Sequence, residues 1–293
     1  MTRRFSGSMV ALITPFHDGH IDREALGRLV EYQLANGTTA LVPCGSTGES
    51  ATLTHAEHAE VVRLVVDFAR GQVPIIAGTG SNSTAEAISL TRAAKEAGAD
   101  AALLISPYYN KPTQEGIYQH YRRVAEETRS PLIVYNIPGR TASKIEATTI
   151  ARLAELDEII GLKEATGSLD EVQEVIRLCG ERIDVYSGDD ALTLPIMAVG
   201  GAGVISVIAN VLPKQSAAMC SAALAGDWTT ARRLHYELLP VMRALFLETN
   251  PIPVKAAMAM AGLCRDELRL PLLPMSAVAR ERLRAVLEKA GAL

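Results

Sequence analysis

Residues 131–136 read Pro131-Leu132-Ile133-Val134-Tyr135-Asn136, an almost unbroken apolar run of strand length. Similar runs recur as VPIIAG (73–78), AALLIS (101–106) and VISVIA (204–209). A strand buried on both faces of a parallel sheet reads this way, because helices cover both sides. Working outward, eight candidate strands are found at Ser8–Thr14, Ala40–Pro43, Val73–Gly78, Ala101–Ser106, Leu132–Asn136, Ile159–Lys163, Ile183–Ser187 and Val204–Val207. Helical patterns fill the gaps. Val172, Val175, Ile176 and Cys179 form one stripe at i, i+3, i+4 and i+7, stopped by Gly180, and Leu26, Leu29 and Val30 begin another. Thr54 with Glu57, Ser83 with Glu86 and Ser168 with Glu171 fit the capping box at helix starts. Strict βα alternation predicts a closed (β/α)8 TIM barrel over residues 1–226, with an open doubly wound sheet as the alternative. After Asp227 strand signals stop. Three helical segments, about 227–248, 253–263 and 276–290, predict a C-terminal helical domain over 227–293.

The 293 residues carry 29 Lys and Arg against 33 Asp and Glu, a net charge of -4. Without a basic excess to neutralise phosphates, nucleic acid is not an expected partner. No stretch approaches the roughly 18 apolar residues of a membrane span, and the N-terminal run Met9–Ile13 is too short for a signal peptide. A soluble, cytoplasmic protein is expected. Cys44, Cys179, Cys220 and Cys264 lie far apart without CxxC pairing, as reduced thiols do. Gly78-Thr79-Gly80 begins a GxGxxG but has Ser83 at the sixth position, and no GxxxxGK[ST] occurs, so a nucleotide site has little support. His55 and His58 share a helix face but lack further ligands nearby; no metal site is expected, and a solvated helix start is the plainer reading.

Lys163 stands out among seven lysines because it ends the apolar run Ile159-Ile160-Gly161-Leu162, whereas the other six lie in polar, helical or proline-flanked contexts. Strand C-terminal ends form the mouth of a barrel site. A lysine desolvated there has a lowered pKa and can attack a carbonyl as the neutral amine. The bland alternative is a lysine paired with Glu164. Tyr135 ends another strand and could relay protons or simply cap the core. Arg140 follows Pro138-Gly139 on the loop above and could clamp a carboxylate or lie idle at the surface. Gly45-Ser46-Thr47-Gly48-Glu49-Ser50 offers amides and hydroxyls for a small carboxylate, or is a plain βα turn.

Together GSTGES (45–50), SPYYNKPTQEG (106–116), YNIPGRT (135–141), GLKEATG (161–167), YSGDD (186–190), GVISVIAN (203–210) and the tail Asn250-Pro251-Ile252-Pro253-Val254-Lys255 resemble the dihydrodipicolinate synthase family, from end to end. The resemblance implies a Schiff-base synthase condensing pyruvate with L-aspartate 4-semialdehyde in lysine and diaminopimelate synthesis, without metal or organic cofactor. It implies Lys163 as imine former, and Tyr135, Ser46 and a neighbouring subunit's Tyr109 as proton relay. Ser46 and Thr47 would hold the pyruvate carboxylate, the Ile205 carbonyl would lie near the imine, and Arg140 would receive the second carboxylate. A homotetramer built as a dimer of dimers is implied too. So is L-lysine as effector, at Ser50, Ala51, His55, His58, Asn82, Glu86 and Tyr108. Position 46 is Ser where this family usually has Thr, a feature shared with N-acetylneuraminate lyases and 2-keto-3-deoxy-sugar acid aldolases. Those relatives are the alternative, and Arg140 speaks against them.

Overall fold

The computed structural model describes residues 5–293; Arg3 and Arg4, and the first residues of the expected 1–226 unit, lie outside the described residues. Eight parallel strands form the barrel: β1 (Gly7–Ala11), β2 (Ala40–Val42), β3 (Ile76–Gly78), β4 (Ala101–Ile105), β5 (Leu132–Asn136), β6 (Ile159–Glu164), β7 (Asp184–Ser187) and β8 (Gly203–Ser206). Their order is β2-β1-β8-β7-β6-β5-β4-β3. The ring closes between β2 and β3 through the parallel bridge Leu41–Ile75 and the Gly78 amide, which donates to Pro43 O at 2.9 Å. Closure demands glycine at 78, where a Cβ would fall 2.3 Å from Cys44 O. Every expected strand is present. Ser8–Thr14 is trimmed to end at Ala11, and Val73–Gly78 pairs as a strand only from Ile76. A small hairpin, Phe16–His17 with His20–Ile21, was not expected from the sequence.

Alternation along the strands sorts two cores. Met9, Ala40, Val42, Ile76, Leu103, Ile133, Tyr135, Tyr186 and Ile205 fill the barrel interior. Val10, Leu41, Ala77 and Val204 face outward, under the helices. The C-terminal helices Trp228–Ala244, Ile252–Met260 and Ala277–Lys289 join that outer core through Leu238, Val241, Val254, Ala257, Leu283 and Leu287. The first of them stops at Ala244, short of 248. Among the described residues no helix is long and apolar enough to cross a membrane. The four cysteines are free thiols.

The caps are only partly as expected. Thr54 and Glu57 form both arms of a capping box. Ser83 and Ser168 accept the amides of Glu86 and Glu171, but the reciprocal carboxylates go elsewhere. Glu171 pairs with Lys144 at 2.7 Å, and Glu86 turns to Ser81 and His55. Tertiary partners outcompete the local bond in both cases.

Candidate active site

Period-two alternation sends Lys163 into the barrel and its neighbours Leu162 and Glu164 outward. The expected alternative, a Lys163–Glu164 pair, is thereby excluded. Glu164 accepts from Asn136 Nδ2 at 3.2 Å and from the Thr166 amide at 2.6 Å. Lys163 is 6% exposed and aligned in register with Tyr135 on β5 and Tyr186 on β7. Its Nζ sits 4.1 Å from the centroid of the Tyr135 ring. Burial lowers its pKa to about 7; the Asp190 charge opposes the fall, and Arg140 adds to it. Gly188 packs against this side chain, since a Cβ there would meet Lys163 Cε at 3.2 Å. The Tyr135 hydroxyl is hydrogen-bonded to Ser46, and burial raises its pKa to about 12, so it stays protonated.

Lys255 corrects the expectation that Lys163 is alone in a special setting. It is fully buried in the helix Ile252–Met260, with its Nζ 2.5 Å from Glu49 Oε1 and bonded to Glu267 O at 2.6 Å. The difference between the two lysines is the carboxylate. Burial lowers the pKa of Lys255 as well, but the Glu49 carboxylate beside it favours the charged form, whereas no carboxylate lies within ion-pair distance of Lys163 among the described residues.

The turn after β2 is built by bonds from the Gly48 amide to Gly45 O at 3.0 Å and from the Glu49 amide to Ser46 O at 3.2 Å. Cys44 and Glu49 take left-handed φ values of 56° and 54°, strained for non-glycine residues. The buried Glu49–Lys255 pair pins the turn in that shape. The Ser46 and Thr47 amides have no acceptor among the described residues, and both residues line the central cavity. They can therefore cradle an anion. Arg140 stands not on a plain loop but in the short helix Pro138–Thr141 after β5, and donates from Nη2 to Asn250 O at 2.9 Å.

One cavity of about 470 Å³ joins Lys163, Tyr135, Ser46, Thr47 and Arg140 to Ser50, Ala51, His55, His58, Glu86 and Tyr108. His58 is not solvated, as the plain sequence reading had it. It is buried, bonded to Gly78 O at 2.7 Å, and burial lowers its pKa. His55 is exposed and pairs with Glu86 at 2.5 Å. Ser81 and His55 together hold the Glu86 carboxyl below its ordinary pKa. Three expected residues do not line the cavity. Tyr109 is 89% exposed with a left-handed φ of 70°. Asn82 accepts from Asn110 Nδ2 through its backbone carbonyl. The Ile205 side chain belongs to the barrel core.

Two participants escaped the sequence reading. Asp190 is buried, and its Oδ2 accepts from the Val207 and Ile208 amides at 3.0 and 2.9 Å, anchoring the loop after β8. The motif YSGDD contains it, but nothing local marks which aspartate turns inward. Asn250 donates from Nδ2 to Thr47 Oγ1 at 3.0 Å, across 203 residues of chain.

The profile of the Dihydrodipicolinate synthetase family matches residues 4–290. The chain belongs to that family. A 4-hydroxy-tetrahydrodipicolinate synthase of Pelobacter propionicus is 53% identical over 287 residues, covering 98% of this chain and 99% of the relative. The crystal structure of the dihydrodipicolinate synthase from Acinetobacter baumannii complexed with pyruvate superposes with a TM-score of 0.97 at 46% identity, covering 99% of this chain and 100% of that one. The dihydrodipicolinate synthase from Cyanidioschyzon merolae with lysine bound superposes with a TM-score of 0.96 at 39% identity, covering 100% of both chains. Membership of the dihydrodipicolinate synthetase family makes this chain a lyase-type enzyme and sets it apart from the sugar-acid aldolase alternative.

Proposed function

We propose that the chain condenses pyruvate with L-aspartate 4-semialdehyde to 4-hydroxy-tetrahydrodipicolinate through an imine on Lys163. The observation that carries this is a buried, unpaired amine of lowered pKa, stacked on Tyr135 in a cavity with an amide cradle at one side and a guanidinium at another. Neutral Lys163 attacks the pyruvate carbonyl while Thr47 and the free amides hold the carboxylate. The carbinolamine loses water, with Tyr135 and Ser46 moving the protons. The imine draws electrons from the pyruvate methyl, which loses a proton to give the enamine. The enamine carbon attacks the aldehyde, and the substrate amine then displaces Lys163 from the imine carbon. No step calls for a metal or organic cofactor.

Arg140 receives the carboxylate of the second substrate. Arg140→Ala should raise the KM for aspartate semialdehyde by about tenfold or more while pyruvate trapping at Lys163 changes little. An unchanged response to the semialdehyde would remove Arg140 from the site of the second carboxylate.

The exposed, strained Tyr109 supports a role in a neighbour's site, within a cytoplasmic homotetramer arranged as a dimer of dimers. Lysine is the expected effector at the outer end of the cavity. Glu86 would take its side-chain ammonium and Tyr108 its carboxylate; Asn82, which does not line the cavity, is assigned there by the family resemblance alone. Lysine at millimolar concentration should inhibit, and Glu86→Ala should weaken inhibition by roughly 5-fold or more. Titration of lysine into the pyruvate-saturated assay checks both, and inhibition undiminished in the variant would remove the effector from this site.

A further inference from the structure

The link between the helices Trp228–Ala244 and Ile252–Met260 runs along the cavity, and Asn250 lies on it, buried and lining the wall. Three of its polar atoms face three different tasks. Its backbone carbonyl accepts from Arg140 Nη2. Its Nδ2 donates to Thr47 Oγ1. Its Oδ1 is buried and has no hydrogen-bond partner among the described residues.

These bonds have consequences for both substrates. A threonine hydroxyl has one proton and two lone pairs. Because Asn250 fills a lone pair, the Thr47 proton is free to be donated to an anion. The same bond decides which end of the Asn250 amide is left over. That end is a carbonyl oxygen, which can be satisfied only by a donor, and buried acceptors without donors are rare and costly. Its position is set by its own backbone, whose carbonyl holds the Arg140 guanidinium. Arg140 and Asn250 line the same cavity, so a ligand whose carboxylate sits on Arg140 lies along the wall to which Asn250 belongs. Hydrogen at the ligand's α-carbon leaves the oxygen unpaired, whereas an amino group pairs with it.

We propose that Asn250 Oδ1 receives the amino group of the second substrate, which makes Asn250 the residue selecting an α-amino semialdehyde over its deamino counterpart. This rests on the reading that pyruvate is bound at Lys163 and the second carboxylate at Arg140. A neutral amide acceptor orients the amine without removing its lone pair. At ring closure that lone pair forms the new bond to the imine carbon and the bond from that carbon to Lys163 breaks. One of the amine's two protons passes to the departing Lys163 nitrogen, which leaves as the neutral amine.

The test compares aspartate semialdehyde with succinate semialdehyde, identical except for the amine, at saturating pyruvate. The first is read as KM and the second as a competitive inhibition constant. The wild-type enzyme should prefer the amine-bearing compound by about tenfold or more. In Asn250→Ala that preference should collapse to within about threefold, because the loss of the Thr47 contact weakens both compounds alike and cancels in the ratio. Asn250→Asp keeps an acceptor of the same size, so it should retain the preference even though pyruvate binds more weakly; this variant carries the test if the alanine variant does not fold. An unchanged preference in Asn250→Ala, or a collapsed one in Asn250→Asp, overturns the role of Asn250. Borohydride trapping of pyruvate on Lys163 is run in parallel. Failure of trapping in the wild-type enzyme removes the underlying reading, while normal trapping with an unchanged preference removes only the assignment to Asn250.

Discussion

Lys163→Met should abolish the borohydride-trapped pyruvate adduct and lower turnover by at least about 10³-fold, because no other group can supply the covalent route. Methionine matches the lysine in length and carries no charge, so the barrel interior should accept it. Lys255 will not substitute, since its Nζ is engaged by Glu49 and the Glu267 carbonyl and the helix holds it outside the barrel. An adduct mapped by mass spectrometry to Lys255 or Lys111 in the wild-type enzyme would sink the assignment. The pH profile should carry the same signature. The Lys163 pKa is about 7 because burial disfavours the ammonium. Below that pH the amine is protonated in the free enzyme and cannot attack. The kcat/KM for pyruvate should therefore fall about tenfold per unit as pH drops below about 7, and level off above it. A profile flat between pH 6 and 8 would contradict a desolvated nucleophile.

Tyr135→Phe should lower kcat by about 10²–10⁴-fold, the usual contribution of a positioned acid–base group. The ring that packs on Lys163 survives, so what is lost is the hydroxyl proton and its bond to Ser46. Burial holds that hydroxyl protonated, which suits it to donate to the leaving water of the carbinolamine. The stability cost should be that of one buried hydrogen bond, about 1 kcal/mol. Rapid borohydride quenching would separate the steps, with imine formation itself slowed. Turnover within threefold of the wild-type enzyme would reduce Tyr135 to an aromatic cap on the core.

The eight strands and the three C-terminal helices were legible because their signals are short-range. Runs such as PLIVYN and VISVIA declare burial on both faces within six residues. The stripe Val172, Val175 and Cys179 declares a helix face within eight. Lys163 was legible for the same reason, since an amine at the end of an apolar strand is anomalous wherever the strand goes. Even its independence from Glu164 follows from the alternation of a strand, once the strand is granted. Arg140, Ser46 and Thr47 could be placed at the barrel mouth, because each follows a strand end.

What the tertiary structure alone decided is which distant groups meet. Glu49 and Lys255 are separated by 206 residues, and Thr47 and Asn250 by 203, yet each pair closes in the interior. Nothing in PIPVK announces a buried cation, because helix Ile252–Met260 acquires its inner face only by docking on the barrel. Glu86 has the sequence of a capping-box residue, but the fold offers its carboxylate Ser81 and His55 instead. Local pattern fixes direction within a strand or helix, since periodicity repeats over a few residues. Partners across two hundred residues depend on barrel closure and on the angle at which the last helices pack, and those are set by the whole core together.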